Sequence, residues 1–383
     1  MKPVQPAYVA AAVAFVITWI VSHGRSSPYN NFVLLADAFN HGHVWINWPG
    51  EYIDALGWRG LHYVIEAPMP AILLMPFVAL FGMAVNQTLL AIVLASVAIG
   101  AAWKTAEHLG VAPRHNAWLC AFLLAGTDLL WCAMLGDVWF IAHVAGVCFT
   151  MLALAEVTGK RRGWLVALYA GAAIESRFAM IVVVPVYAYV LYAFAANRRR
   201  ELLSFALALV PFAIFWIGYN EARWNTWYDI GYTEWYHQDA AGMPSGSPFR
   251  LMYLPYELQS FFVQLPTFKN VFPYVTPEMT GQALTWTSPA LILALFARGD
   301  RRLIAAFAVA AVLSAGPNFI YYVNGFAQFG MRHALDFEPF LFALMALAAT
   351  RTLPRWGYAL IAYSIAVGLW GCWYWNAFYR ATS

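Results

Sequence analysis

Residues 52–76 read YIDALGWRGLHYVIEAPMPAILLMP and place two carboxylates, an arginine and a histidine directly before an apolar run. The apolar run covers residues 70–82. As a helix it would be about 20 Å long, which is shorter than the roughly 30 Å hydrocarbon core of a bilayer. The stretch therefore predicts a helix that lies on the membrane surface and holds a charged loop close to it.

The rest of the chain has the composition of a polytopic membrane protein. Of its 383 residues, 62% are hydrophobic and 11% are charged, whereas a soluble domain carries about 25% charged residues. Successive spans cross the membrane in alternating directions without conflict if all the basic clusters face the cytoplasm. These clusters lie at 104–114, 160–162, 198–200, 298–302 and 351–355. Eleven membrane spans are predicted, near 7–22, 87–104, 116–133, 138–157, 164–177, 179–196, 202–218, 283–297, 303–317, 338–350 and 357–373.

This layout predicts one transmembrane module over 1–383, with two long segments outside the cytoplasm. The first is 23–86, with the interfacial helix at 70–82, and the second is 219–282. The outer face is acidic, so nucleic acid is not an expected partner. The four cysteines all fall in predicted spans and show no disulfide or metal spacing, which favours small buried side chains: Cys120, Cys132, Cys148 and Cys372.

Charged residues gather at the outer ends of the predicted spans, which indicates a wet cavity because an unpaired charge in a membrane is costly. A carboxylate there could act as a general base, and an arginine could hold a phosphate. In AAIESRFAM, the helix before Arg177 is too short to span, so Glu175 and Arg177 are expected to lie recessed inside the bundle. A structural ion pair is the alternative interpretation of Arg177.

The segment YNEARWNTWYDIGYTEWYHQ at 219–238 alternates aromatic and polar residues. Aromatic faces with polar edges suit sugar binding. The same composition suits an aromatic belt at the membrane interface. Composition alone leaves both interpretations open for Tyr232 and Trp235.

Five stretches in order resemble the multi-spanning GT-C glycosyltransferases, in particular bacterial relatives of the dolichyl-phosphate-mannose protein mannosyltransferases. They are LADAFNHGHVWI with YIDALGWRGLHYVIEAPMPAILLMPFVALFG, AIESRFAMIVVVP, YNEARWNTWYDIGY, TSPALILAL and FAQFGMRHALDFEPFL. The resemblance runs along almost the whole chain. It implies an all-α GT-C-like bundle of about eleven transmembrane helices, with interfacial helices in the first extracytoplasmic loop.

The resemblance also implies an inverting transfer of a sugar from a polyprenyl-phosphate-linked donor to an acceptor hydroxyl. An acid on the first loop would take the proton of the acceptor, and arginine or lysine would stabilise the leaving lipid phosphate. The expected place is the cytoplasmic (inner) membrane of a bacterium, with the active site facing the periplasm or exterior. The acceptor, which could be a glycan, a lipid or a protein, is left open.

The sequence departs from the family at the early acid that serves as the base in many relatives. Asn30 and Asn31 stand where a carboxylate is expected. The base must then come from further along the loop. Asp54 is favoured because relatives hold an acid before a similar stretch, and Asp37 and Glu66 are the alternatives.

For the leaving phosphate, Arg332 is favoured and Arg177 comes second, followed by Lys269 and Arg223. The alternative for Arg332 is an ion pair with Asp336, one helical turn on. Sugar or acceptor contacts are expected from His62, Tyr63, Tyr232, Trp235 and His333. No cofactor is implied with certainty. A divalent metal stays an alternative, although scattered histidines make no strong site, and no metal ligands are assigned.

Two other classes of function compete with the enzyme. A transporter or flippase for a lipid-linked saccharide predicts charges near mid-bilayer, broken helices and inverted repeats. In this chain the charges stay at the ends of the predicted spans. A non-catalytic partner in glycan assembly is the other alternative, and the missing early acid is its best support.

Overall fold

The structure is a computed structural model, and it describes residues 5–239 and 246–379. The expected module 1–383 therefore includes residues 1–4, 240–245 and 380–383, which lie outside the described residues. Helices dominate, and they are, in order, α1 (Pro6–Ser22), α2 (Asn31–Asn40), α3 (Met69–Phe81), α4 (Gln87–His108), α5 (Pro113–Ala125), α6 (Leu129–Leu135), α7 (Val138–Thr158), α8 (Gly163–Ile174), α9 (Val184–Phe194), α10 (Arg198–Trp224), α11 (Gly231–Asp239), α12 (Leu254–Phe262), α13 (Leu284–Thr287), α14 (Arg301–Phe319), α15 (Glu338–Ala348) and α16 (Arg355–Tyr374).

Short elements connect these helices. Two antiparallel hairpins pair β1 (Leu56–Trp58) with β2 (Leu61–Tyr63) and β3 (Thr267–Phe268) with β4 (Val275–Thr276). Five short 3₁₀ helices and one terminal π-helical turn complete the described chain: Gly82–Ala84, Phe178–Val183, Leu251–Tyr253, Pro289–Phe296, Arg332–Asp336 and Trp375–Tyr379.

Four helices are long and apolar enough to cross a membrane on their own, namely α4, α7, α10 and α14. Helices α5 and α6 would add a fifth span if this pair, which is bent by 50°, is taken together. Helices α1, α8, α15 and α16 also coincide with predicted spans. The total of eleven spans stays a prediction.

Three predicted spans are not single α-helices. The span at 116–133 is bent where α5 ends and α6 begins. The span at 179–196 begins as a 3₁₀ helix and becomes α-helical at α9, and the span at 283–297 is α13 followed by the 3₁₀ helix Pro289–Phe296. Pro185 and Pro289 stand at the starts of the later segments. A proline lacks the N–H that a continuous helix requires, so the chain breaks there.

Close helix packing depends on glycine at two crossings. A Cβ at Gly163 of α8 would lie 1.9 Å from the main-chain oxygen of Glu201 in α10. A Cβ at Gly368 of α16 would lie 2.0 Å from the oxygen of Ala125 in α5. Small residues that let backbones approach closely are the usual basis of helix association in membranes.

The first loop folds as α2, the hairpin β1–β2 and α3. Helix α3 matches the helix predicted at 70–82, and the side chains of Phe77, Leu80 and Phe81 are exposed along one edge of it. Its first residue is tied to the bundle, because the amide of Met69 donates to the oxygen of Glu175 at 2.8 Å. An exposed apolar edge suits contact with lipid, and the interfacial position stays a prediction.

Helix α10 continues beyond the span predicted at 202–218. It ends at Trp224, inside the second long segment predicted at 219–282, and the bounds of that segment stay a prediction. Asn225 ends the helix in the left-handed conformation, with φ of 59°, which asparagine adopts more readily than most residues. Helices α11 and α12 and the hairpin β3–β4 follow.

We expect Gly163→Ala to destabilise the protein, because the new methyl group would collide with the backbone of α10. Overpacking of this kind typically costs about 1–3 kcal/mol. Gly218→Ala in α10 is the matched control, since nothing lies within 4 Å of a Cβ there. Thermal unfolding in detergent measures both variants, and equal midpoints would contradict the close crossing of α8 and α10.

Candidate functional site

A buried ion pair joins two distant parts of the chain. Arg177, just after α8, donates to Asp336 through Nε at 3.1 Å and Nη2 at 2.8 Å. His143 Nδ1 of α7 lies 3.2 Å from the same carboxylate, and Asn318 Nδ2 of α14 donates to it at 3.1 Å. We call these four residues the Asp336 network. A buried charge needs such pairing, because an isolated one is very costly.

The network excludes the alternative interpretation of Arg332, which was an ion pair with Asp336. Asp336 pairs with Arg177, so the structural interpretation holds for Arg177 and not for Arg332. Arg332 is buried, donates from Nη1 to Gln328 Oε1, and lies over the ring of Phe140 with 5.6 Å to the centroid. Among the described residues, no carboxylate oxygen lies within ion-pair distance of Arg332. Arg332 is therefore a buried cation that a bound anion could neutralise.

The Arg332 guanidinium occupies space that is free only because Gly325 has no side chain. A Cβ at Gly325 would lie 2.2 Å from Arg332 Nη1, and this glycine has φ of +112°. Both the space and the backbone conformation exclude a larger residue. Arg332 Nε is buried without a hydrogen-bond partner, which leaves a donor available to a ligand.

A cleft beside the network brings Glu66, Arg177 and Tyr232 together, with Ala142 of α7 in its wall. Burial raises the pKa of Glu66 to about 7, although the nearby Arg177 opposes this shift. Glu66 is thus half protonated near neutral pH. The cleft combines a cation, an acid that titrates near 7 and an aromatic hydroxyl, which are groups that can bind an anion or transfer a proton. The full lining is Ile65, Glu66, Ala67, Ala142, Ser176, Arg177, Phe178, Trp216, Asp229 and Tyr232.

Asp54 lies half-buried beside the residue that replaces the early acid. The side chain of Asn31 donates to the main-chain oxygen of Asp54 at 2.7 Å. Burial raises the pKa of Asp54, and the charge of Asp239 adds to the shift, while Trp139 opposes it. No cation forms an ion pair with Asp54 among the described residues. A carboxylate in this environment is more basic than a solvated one.

The start of α7 links all of these groups. Trp139 contacts Asp54, Phe140 lies under Arg332, and Ala142 lines the cleft. His143 completes the series through its contact with Asp336. No sequence pattern indicated this role for the start of α7, because its aromatic residues resemble ordinary span residues.

The structure separates two other predicted residues from this arrangement. Asp37 is partly exposed on α2, with His41 Nδ1 3.5 Å from its carboxylate. Lys269 is exposed on the hairpin β3–β4, and its side chain has no partner within the described residues.

Arg223 adjoins the cleft. It donates to Val64 O at 3.3 Å and Asn220 Oδ1 at 2.8 Å, and its Nη2 lies 3.7 Å from Oδ1 of the cleft residue Asp229. Its contact with a phosphate stays a prediction.

The predicted sugar-binding residues fall into two groups. His62 stacks on Trp48 at 4.3 Å and Tyr63 packs on Trp224 at 5.0 Å, so both form part of the packed first loop. Trp235 lies against the same apolar cluster.

Tyr232 and His333 lie with the charged groups. Both flank the ring of Tyr321, at centroid distances of 6.1 and 6.3 Å. His333 Nδ1 is also 3.4 Å from Arg177 Nη2. Only Tyr232 lines the cleft. Among the predicted sugar-binding residues, Tyr232 is therefore the one whose ring reaches the cleft.

Sequence reasoning missed Asn318, Gln328 and Gly325. Asn318 lies at the end of an apolar helix and Gln328 lies in an irregular loop, so neither stands out by composition. The one available signal was Gly325, because a glycine between charged and aromatic segments often marks a close approach. Within 5–239 and 246–379, no group of three or more His, Cys, Asp or Glu is placed to hold a metal ion.

The fold and the placement of these residues describe an all-α polytopic bundle with a charged site where its connecting loops meet. No protein-family model matches the chain, and no curated protein matches its sequence. A search of solved structures matches the crystal structure of ArnT from Cupriavidus metallidurans bound to undecaprenyl phosphate, with a TM-score of 0.53 and 18% identity. The match covers 94% of this chain and 62% of that chain.

This likeness confirms the predicted fold class, the GT-C-like helical bundle of an integral membrane protein. At 18% identity it establishes the fold alone. The chain spans 62% of the length of the protein it matches. Activity, substrates and partners are therefore inferred from the site.

We expect Asp336→Ala to destabilise the fold strongly, because it leaves the charge of Arg177 buried and unpaired. Removing one partner of a buried pair typically costs about 3–5 kcal/mol. The double variant Arg177→Met with Asp336→Leu should recover much of that loss, because it removes both charges. Glu107→Ala, at an exposed pair with Lys104, is the control and should leave the unfolding midpoint nearly unchanged. A midpoint for Asp336→Ala equal to that control would contradict the role of the network.

Proposed function

We propose that the protein is an inverting glycosyltransferase that moves a sugar from a polyprenyl-phosphate donor to an acceptor hydroxyl. The observation that carries this proposal is the buried Arg332, which forms no ion pair among the described residues and whose charge acts on Glu66. Glu66 and Asp54 are first-loop carboxylates of raised pKa. A cation without a counter-ion favours an anionic ligand, and a basic carboxylate favours proton abstraction. The GT-C-like fold is consistent with both.

Arg332 is the group that holds the leaving phosphate. The charge of Arg177 is already neutralised by Asp336, whereas that of Arg332 is not. A phosphate would accept from the guanidinium in the bidentate manner that arginine supports. Its charge would also remove the cost of a buried unpaired cation. Arg177 then serves mainly to shape the cleft.

Asp54 is the group that accepts the proton. The acceptor oxygen attacks the anomeric carbon while its proton passes to the Asp54 carboxylate. The bond from that carbon to the phosphate oxygen breaks, and its electron pair stays on the phosphate, which leaves as the free lipid phosphate. One displacement with one base inverts the anomeric centre.

Tyr232 and Tyr321 offer the aromatic face on which the transferred sugar would lie. Flat apolar rings with polar edges suit this contact. The site would lie on the periplasmic side of a bacterial cytoplasmic membrane, where a polyprenyl donor presents its headgroup. The acceptor would be a glycan, another lipid or a protein hydroxyl.

The decisive test uses purified protein in proteoliposomes with a panel of radiolabelled polyprenyl-phosphate sugars. Release of free lipid phosphate is the measurement. We expect Asp54→Asn to lower turnover by about 10²–10⁴-fold, the usual effect of losing a general base. Asp37→Asn is the matched control on the same loop and should retain activity. If Asp54→Asn turned over as fast as the control, Asp54 would not be the general base.

The raised pKa of Glu66 predicts that binding of the donor depends on pH. With a pKa of about 7, Glu66 is mostly neutral below pH 7 and mostly charged above it. Its negative charge in the cleft would repel the donor phosphate, so KM for the donor should rise as the pH increases through 7. Glu66→Gln keeps the shape without the charge, and its KM should stay constant over the same range.

Measuring KM and kcat from pH 6 to pH 8.5 (roughly one and a half units either side of the pKa) separates two roles for Glu66. An alkaline rise in KM that disappears in Glu66→Gln supports the electrostatic role. Loss of kcat at every pH in Glu66→Gln would instead make Glu66 the base in place of Asp54.

A further inference from the structure

The segment 263–277, which we call the finger, carries an unusual apolar surface for a connecting loop. It consists of the hairpin β3–β4 and its flanks, with a tight turn between the strands. Lys269 is the one charged residue in the sequence from 258 to 277. Six large apolar or aromatic side chains of the finger are each more than half exposed: Val263, Leu265, Phe268, Val271, Phe272 and Tyr274. So many exposed apolar groups in one place mark a binding surface.

The finger lies directly beside helix α16, an expected membrane span. Phe268 meets Trp286 edge-on at 6.1 Å, and Trp286 in turn meets Tyr363 of α16 at 6.1 Å. Phe272 lies 5.7 Å from Phe378, beyond the end of the same helix. The apolar surface of the finger is therefore continuous with the exposed aromatic face of α16, which includes Tyr363 and Trp373.

We propose that the finger inserts into the lipid bilayer beside α16, with Lys269 at the level of anionic headgroups. Three observations favour lipid over a protein partner. The surface continues one that is expected to face the membrane, and residues 263–277 include no acid. Their one cation is unpaired among the described residues. The nearest acid, Glu278, lies at the base of the finger, where it accepts a hydrogen bond from Thr267. Aromatic side chains with a flanking lysine are typical of the membrane–water interface.

Hydrogen bonds connect the base of the finger to the segment that holds Arg332. Gln264 Nε2 donates to Thr280 Oγ1 at 2.6 Å. The main-chain oxygen of Thr280 accepts from Gln328 Nε2 at 2.8 Å, and Gln328 Oε1 accepts from Arg332. Lipid contact would thus fix the same loop that positions the buried cation. This second step rests on the proposed function, whereas insertion itself does not.

The test places an environment-sensitive fluorophore on the finger of the full chain. The variant Val271→Cys is labelled and reconstituted into nanodiscs of phosphatidylethanolamine and phosphatidylglycerol. The native cysteines are all buried, which favours labelling at the introduced site. The matched control is Glu51→Cys, at an exposed turn of the first loop.

We expect nitroxide-bearing lipids to quench most of the fluorescence at position 271 and iodide in the water to quench little of it. The label at position 51 should show the reverse. Adding Phe272→Asp to the Val271→Cys variant should shift quenching from lipid to iodide, with the unfolding midpoint unchanged. Equal iodide quenching at 271 and 51 would overturn the proposal, because it would place the finger in water.

Enzyme assays separate this inference from the proposed function. Gln264→Ala breaks the hydrogen bond at the base of the finger without touching its apolar tip. It should raise KM for the lipid-linked donor while the label at 271 still reports lipid contact. An unchanged KM would show that the finger does not affect donor binding through Arg332, and it would not contradict insertion of the finger into lipid. Lipid quenching without any glycosyl transfer would overturn the proposed function alone.

Discussion

The ion pair of Arg177 with Asp336 is the contact on which the arrangement of the site depends. It is buried and joins the short helix α8 to the segment before α15, while His143 and Asn318 add α7 and α14. A charge pair inside a membrane protein tolerates little change in geometry, because any separation exposes each charge to a medium of low polarity. Four separate parts of the chain are thereby held in one fixed relation.

The pairing of Arg177 with Asp336 also determines which buried arginine near the cleft remains without an ion-pair partner. Since Asp336 neutralises Arg177, Arg332 is the buried arginine near the cleft that forms no ion pair among the described residues. Asp54 and Glu66 lie on the first loop, and both have a raised pKa. The start of α7 adjoins all three groups, through Trp139, Phe140 and Ala142.

The sequence was sufficient for the fold class and for most of the helices, because membrane spans depend on composition and on charge asymmetry. It placed the short helix now seen as α3 and the recessed Arg177. It could not identify the partner of Asp336, because spacing along one helix offered only Arg332 as an alternative, whereas the partner is Arg177, 159 residues away. The sequence also did not predict the bend between α5 and α6 or the 3₁₀ segments. Local backbone geometry of this kind depends on packing, which composition does not encode.

The contact of Asn31 with Asp54 has a consequence for how such proteins diverge. The resemblance to GT-C enzymes implies an acid near position 31, and this chain carries an amide there whose nitrogen holds the backbone of Asp54. The proposed base, Asp54, lies 23 residues along the polypeptide from Asn31, yet a hydrogen bond joins the two residues in the fold. A comparison of position 31 alone would therefore record the loss of an acid, although a neighbouring part of the folded loop carries one.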